Sequence, residues 1–108
     1  MKLITAEIKK GFERNMKLPE AERMPILKLF NPMGAATWLI SEMDEDGILF
    51  GLCDLGMGFP ELGNVSLEEL ESVQLPFGLK IERDRYFSPT QNLAWYTDEA
   101  RKAQAIIA

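Results

Sequence analysis

The chain contains no histidine. That absence removes the commonest general base, the triads built on imidazole and most transition-metal sites. An enzyme with this sequence would have to work with carboxylates, lysine, tyrosine, serine or threonine. Cysteine is nearly absent too: Cys53 is the sole thiol, so no internal disulfide can form, and within its apolar run it reads as a small core residue. No apolar stretch approaches the ~20 residues a bilayer requires, and residues 1–12 lack the continuous apolar segment of a secretory signal. The expectation is a cytoplasmic protein without a membrane partner. Basic residues are the minority, 12 against 17 acidic ones, for a formal net charge of −5. Phosphate backbones are repelled on average by such a chain, and a basic partner suits it better. The same charge is also what keeps an ordinary small domain soluble.

What is present is enough for an ordered fold. At 108 residues, 46% hydrophobic and 27% charged, the chain has room for one core and reads as a single domain over residues 1–108. Thr5 is placed to cap a first helix of about ten residues, in which Ile8 and Phe12 recur at helical spacing. Residues 17–23 are polar and carry Pro19, a connection toward a sheet. Residues 26–30 are short, apolar and stopped by Asn31-Pro32, as a strand would be.

The strongest local signal is a hairpin: β-rich runs at 37–43 and 48–54 flank the polar turn Asp44-Glu45-Asp46-Gly47. With Met43 facing Ile48, alternation places Leu39, Ser41, Met43, Ile48, Phe50, Leu52 and Asp54 on one face. Trp38, Ile40, Leu49, Gly51, Cys53 and Leu55 take the other. Both faces are apolar, which predicts a hairpin covered on both sides, with the Trp38 ring lying across the gap at Gly51.

Residues 62–65 suit a further short strand, and Ser66-Leu67-Glu68-Glu69 is a capping box that opens a second helix. Residues 79–87 alternate, with charges on both sides, as a protected edge strand does. Ser88-Pro89-Thr90-Gln91 offers a second capping box, and Leu93, Tyr96, Ala100, Ala103 and Ile107 mark one face of a helix that closes the chain. The predicted fold is α+β, an antiparallel sheet of four to five strands around the central hairpin with about three helices.

Chemistry-bearing residues gather in two places. In the glycine-rich turn after the hairpin, Asp54 is a carboxylate late in an apolar strand, a position that requires hydrogen-bond donors or a cation. Backbone amides of the Gly56-Met57-Gly58 turn are its natural donors. Asp54 paired with Glu61 as a metal or catalytic couple is the weaker reading, since a cation needs further oxygen ligands. Met57, Phe59, Pro60 and Glu61 form an aromatic held by a rigid proline beside a charge, a typical interface anchor. The glycines do not form a phosphate loop, lacking both its Lys-Ser/Thr ending and the dinucleotide spacing. Elsewhere, Lys80, Arg83 and Arg85 interleave with Tyr86 and Trp95, the minimum for stacking on single-stranded nucleic acid, although Glu82 and Asp84 neutralise part of that charge.

Several ordered blocks resemble one family. Residues 27–32 (LKLFNP), 34–39 (GAATWL), 50–56 (FGLCDLG) running into 60–67 (PELGNVSL), and 78–87 (GLKIERDRYF) are similar to a family of small bacterial proteins of unknown function. Its members are carried on plasmids, integrating elements and phages, and the same unit is appended to larger proteins near antirestriction and conjugation genes. The resemblance covers nearly the whole chain; residues 17–24 depart from the small Gly/Ala-rich connector usual there. No reaction is attached to the family, so it implies context and no catalytic residue, metal or cofactor. The leading expectation is a non-catalytic interaction protein of a mobile genetic element, an inhibitor of a host defence system of the antirestriction or anti-CRISPR type. It would bind a protein partner through Asp54, Met57, Phe59, Pro60 and Glu61. The alternatives are a single-stranded DNA-binding accessory of DNA transfer using Lys80, Arg83, Arg85, Tyr86 and Trp95, and a carboxylate-dependent hydrolase.

Overall fold

A computed structural model describes residues 2–108. In chain order the elements are α1 (Ala6–Met16), β1 (Leu27–Phe30), β2 (Thr37–Met43), β3 (Ile48–Asp54), β4 (Glu61–Ser66), α2 (Leu67–Ser72), β5 (Glu82–Arg83) and α3 (Leu93–Ala103). The five strands form one antiparallel sheet in the order β4-β3-β2-β1-β5, an α+β architecture with the expected hairpin, β2–β3, at its centre. No helix among the described residues is long and apolar enough to cross a membrane.

Local chemistry sets the element ends. The Thr5 hydroxyl accepts the Ile8 amide and starts α1, and the Ser66 hydroxyl accepts the Glu69 amide and starts α2. In the hairpin turn one Asp44 carboxylate oxygen accepts the amides of Asp46 and Ile48, both at 2.9 Å, and thereby fixes where β3 begins.

Two layers cover the sheet. On one face α1 and α2 bring Phe12 and Leu70 onto Leu27, Leu29, Trp38, Ile40 and Leu49. On the other, α3 brings Leu93, Tyr96 and Ala100 onto Leu39 and Leu52. Ile40 and Leu49 on one side and Leu39 and Leu52 on the other are all fully buried. Each such side chain stabilises the fold by about 1.5–3 kcal/mol relative to exposure, so the sheet depends on both layers.

The structure corrects the expected register. Thr37 to Ile40 pair with Asp54 to Gly51 as alternation requires, but a bulge at Ser41 shifts the remainder, so that Met43 faces Leu49 rather than Ile48. Met43 consequently joins the Leu49 face. The bulge is satisfied by an unforeseen residue: buried Asn15, on α1, donates to the carbonyls of Ser41 at 2.8 Å and Met24 at 2.7 Å and accepts the Met24 amide at 3.2 Å. Gly51 is required by the neighbouring strand: a Cβ there would stand 2.0 Å from the Leu39 carbonyl oxygen and 2.8 Å from the Ile40 Cα, so glycine admits the β2 backbone.

The second half of the chain departs further. Only Glu82 and Arg83 of the expected 79–87 strand pair with β1. The capping box at 88–91 does not open α3. That segment stays outside the helix while the Thr90 amide donates to the Tyr96 hydroxyl, and the Asn92 side chain caps the helix through the Trp95 amide. Nor does the chain end helical. Gln104 takes a left-handed conformation, the amides of Gln104 and Ala105 both return to the Ala100 carbonyl, and the tail folds back so that Ile106 packs under α3 while Ala103 and Ile107 stay exposed.

Candidate functional site

The β3–β4 connection, residues 55–60, is built to project apolar side chains. Gly56 and Gly58 both have positive φ, which only glycine adopts without strain, and Gly56 also passes so close to Ala35 that a Cβ would approach its methyl at 2.8 Å. These two reversals, with Pro60 buried behind them, leave Leu55, Met57 and Phe59 exposed at 59%, 74% and 78%. Leu62, at the start of β4, is 42% exposed and lines a cleft with Phe59.

Asp54 fixes the loop from beneath. It is 3% exposed, and its two carboxylate oxygens are divided between two backbone donors, the Gly56 amide at 2.8 Å and the Ile106 amide at 2.9 Å. The carboxylate thus ties the loop to the folded-back tail, and its desolvation is offset by hydrogen bonds to the charged form. Of the five residues assigned to this surface from the sequence, Met57, Phe59 and Glu61 are presented to solvent, whereas Asp54 and Pro60 position them from the interior. An open cleft of about 490 Å³ separates the loop from the end of α3, lined by Phe59, Pro60, Glu61, Leu62, Arg101 and Gln104.

Beside the loop runs β4, an outer strand of the sheet. Among the described residues its backbone makes no hydrogen bond beyond its ladder with β3. A Cβ at Gly63 would meet open space, and Asn64 is exposed. Natural proteins commonly blunt such an edge with inward charges, proline or a covering element, and β4 has only Glu61 at its first position. Exposed Glu68, Glu69 and Glu71 follow it directly on α2.

The second sequence cluster is distributed over the segment around β5 and over α3, which meet where the Phe87 and Tyr96 rings lie 6.4 Å apart. Lys80 is exposed, and Trp95 stands on α3 with its ring edge-on to Tyr96 at 5.2 Å. Arg83 and Arg85 instead turn to the opposite rim of the sheet, into a groove with α1, while Tyr86 is 94% exposed. Lys10, Arg14 and Lys28, which share that groove, were not singled out from the sequence. Lys10 and Arg14 are four residues apart and therefore lie on one helix face, but nothing local states which neighbour that face meets. Asn15 was missed for the same reason.

Cys53 is half-buried, and burial pushes its thiol above the ordinary value. Among the described residues no three acidic or cysteine side chains converge in an arrangement that could hold a metal ion. No curated protein and no solved structure matches the chain significantly. The family described as Protein of unknown function (DUF2958) matches residues 3–107, virtually the full length, and the chain belongs to that family.

Proposed function

We propose that this is a binding protein of a mobile genetic element, directed at a protein component of host defence against incoming DNA. The observation that carries the reading is the coincidence of an uncovered strand edge, β4, with the exposed apolar side chains of Leu55, Met57, Phe59 and Leu62. Such an edge accepts an extended segment of another chain by strand addition, its backbone groups supplying affinity and flanking pockets supplying selectivity. Phe59 beside the cleft of Arg101 and Gln104 is the anchor. Glu61, Glu68, Glu69 and Glu71 favour a partner segment that is basic. The kinship with proteins of plasmids and phages described above supports the choice of a defence component as target.

The test is transfer of a plasmid into bacterial hosts that each carry one defined restriction or CRISPR system, with and without this protein. Wild-type protein raises recovery of the targeted plasmid in at least one host. The double variant Met57→Asp/Phe59→Asp, whose altered side chains are exposed and whose melting temperature stays unchanged, loses that protection. Equal recovery with and without the wild-type protein in every host refutes the proposal.

A further inference from the structure

A groove of about 650 Å³ lies on the rim away from β4, between α1 and the β1–β5 edge. Its walls carry Lys10 and Arg14 from α1, Lys28 from β1, and Arg83 and Arg85 from β5 and the residues after it, against two carboxylates, Glu7 and Asp84. A chain with a formal charge of −5 has thus collected five of its cations in one concavity. Part of that charge is already engaged: Lys28 lies 3.4 Å from Asp84, and the Arg83 guanidinium donates to the Lys2 carbonyl. Lys10, Arg14 and Arg85 have no ion pair or side-chain hydrogen bond among the described residues.

Like charges in one groove repel each other, and a cleft focuses their field outward. Acids far from the groove weaken this field little, because at physiological salt charges well beyond about 8 Å are screened, whereas Glu7 and Asp84 within it, and Glu13 and Glu82 next to its cations in the chain, offset part of it. An anion with several charges in series relieves the repulsion. The ring of Tyr86 adds a second kind of contact. It sits between two groove-lining residues, Arg85 and Phe87, and its amide is fixed on the Asp84 carboxylate at 2.9 Å, so the backbone is held while the aromatic face is left to solvent. An exposed aromatic platform beside a basic groove recognises an unstacked base, which a single strand offers and a duplex does not.

We infer that this groove binds single-stranded nucleic acid, with Lys10, Arg14 and Arg85 on successive phosphates and Tyr86 stacked on a base. This site is independent of the β4 rim and does not rest on the function proposed for it.

The experiment is fluorescence anisotropy of a labelled oligothymidylate against the full chain, between about 50 and 200 mM salt. The expected log–log salt slope is about −2, the value for three phosphate contacts by a single strand. Lys10→Gln/Arg14→Gln/Arg85→Gln abolishes binding with circular dichroism unchanged. Tyr86→Ala weakens binding about fivefold or more at an unchanged salt slope. Phe59→Asp leaves it intact, which separates this site from the β4 rim. The inference is overturned if the oligonucleotide fails to bind at the lowest salt. Binding of duplex DNA or polyglutamate as tight as that of the single strand, with Tyr86→Ala without effect, overturns it equally, because the groove would then be a general polyanion site.

Discussion

Replacing Asn15 by alanine tests whether the Ser41 bulge is held by a side chain from another layer. The substitution removes the donor to the Ser41 carbonyl, the donor to the Met24 carbonyl and the acceptor of the Met24 amide. A buried polar group stranded in this way costs about 1–3 kcal/mol. Ser41 is fully buried and bears the full cost, whereas Met24 is half-buried and recovers part of its bonding from water. Alanine returns at most about 0.7 kcal/mol in helix propensity. The balance is a loss of about 2–4 kcal/mol, or roughly 8–16 °C in melting temperature for a domain of this size. In urea the midpoint falls with the slope unchanged. Asn15→Asp is the companion measurement. It keeps the acceptor for Met24 but sets a carboxylate against two carbonyls, so it destabilises at least as much at neutral pH and recovers as pH falls toward about 4, because burial beside two carbonyls makes the carboxyl take up its proton above the ordinary range and so restores a donor. An alanine variant that melts within about 4 °C of wild type, a loss under about 1 kcal/mol, refutes the assignment.

Three further outcomes follow from the same geometry. Gly51→Ala sets the gain of about 0.5–1 kcal/mol from a stiffer unfolded chain against a Cβ 2.0 Å from a backbone oxygen, and overpacking of this kind costs about 1–3 kcal/mol or more; thermal melting shows a net loss. Asp54→Asn turns one of two acceptor oxygens into a donor, so one of its two ties is lost at about 1–3 kcal/mol and the Gly56 or the Ile106 amide exchanges faster with solvent while the β2–β3 amides do not. Cys53 resists alkylation at neutral pH and gains reactivity only as pH rises past the ordinary thiol range, because burial favours the neutral thiol; iodoacetamide labelling of native against unfolded protein measures the difference.

The elements whose causes lie within a few residues are legible in the sequence. Thr5, Asp44 and Ser66 act on amides two to four positions away, and the ends of α1, β3 and α2 fall where those residues place them. The elements that were misread depend on partners distant in sequence. The tail turns back because Asp54 takes the Ile106 amide across 52 positions, and 88–91 stays outside α3 while Tyr96 holds Thr90 from that helix. Periodicity along one segment contains neither fact. The same division applies to function: the projecting Met57 and Phe59 follow from local glycine and proline chemistry, whereas the basic groove exists only because α1 lies against the β1–β5 edge.

The strand order has a consequence for assembly. With β4 and β5 at opposite margins, four strand spacings of about 4.8 Å put roughly 19 Å between them, more than two screening lengths at physiological salt. The two margins are therefore electrically blind to each other and sterically clear, which leaves room for a ternary arrangement. A target that itself rides on unwound DNA would be gripped at two points by one small rigid body, each grip raising the effective concentration for the other without any additional contact.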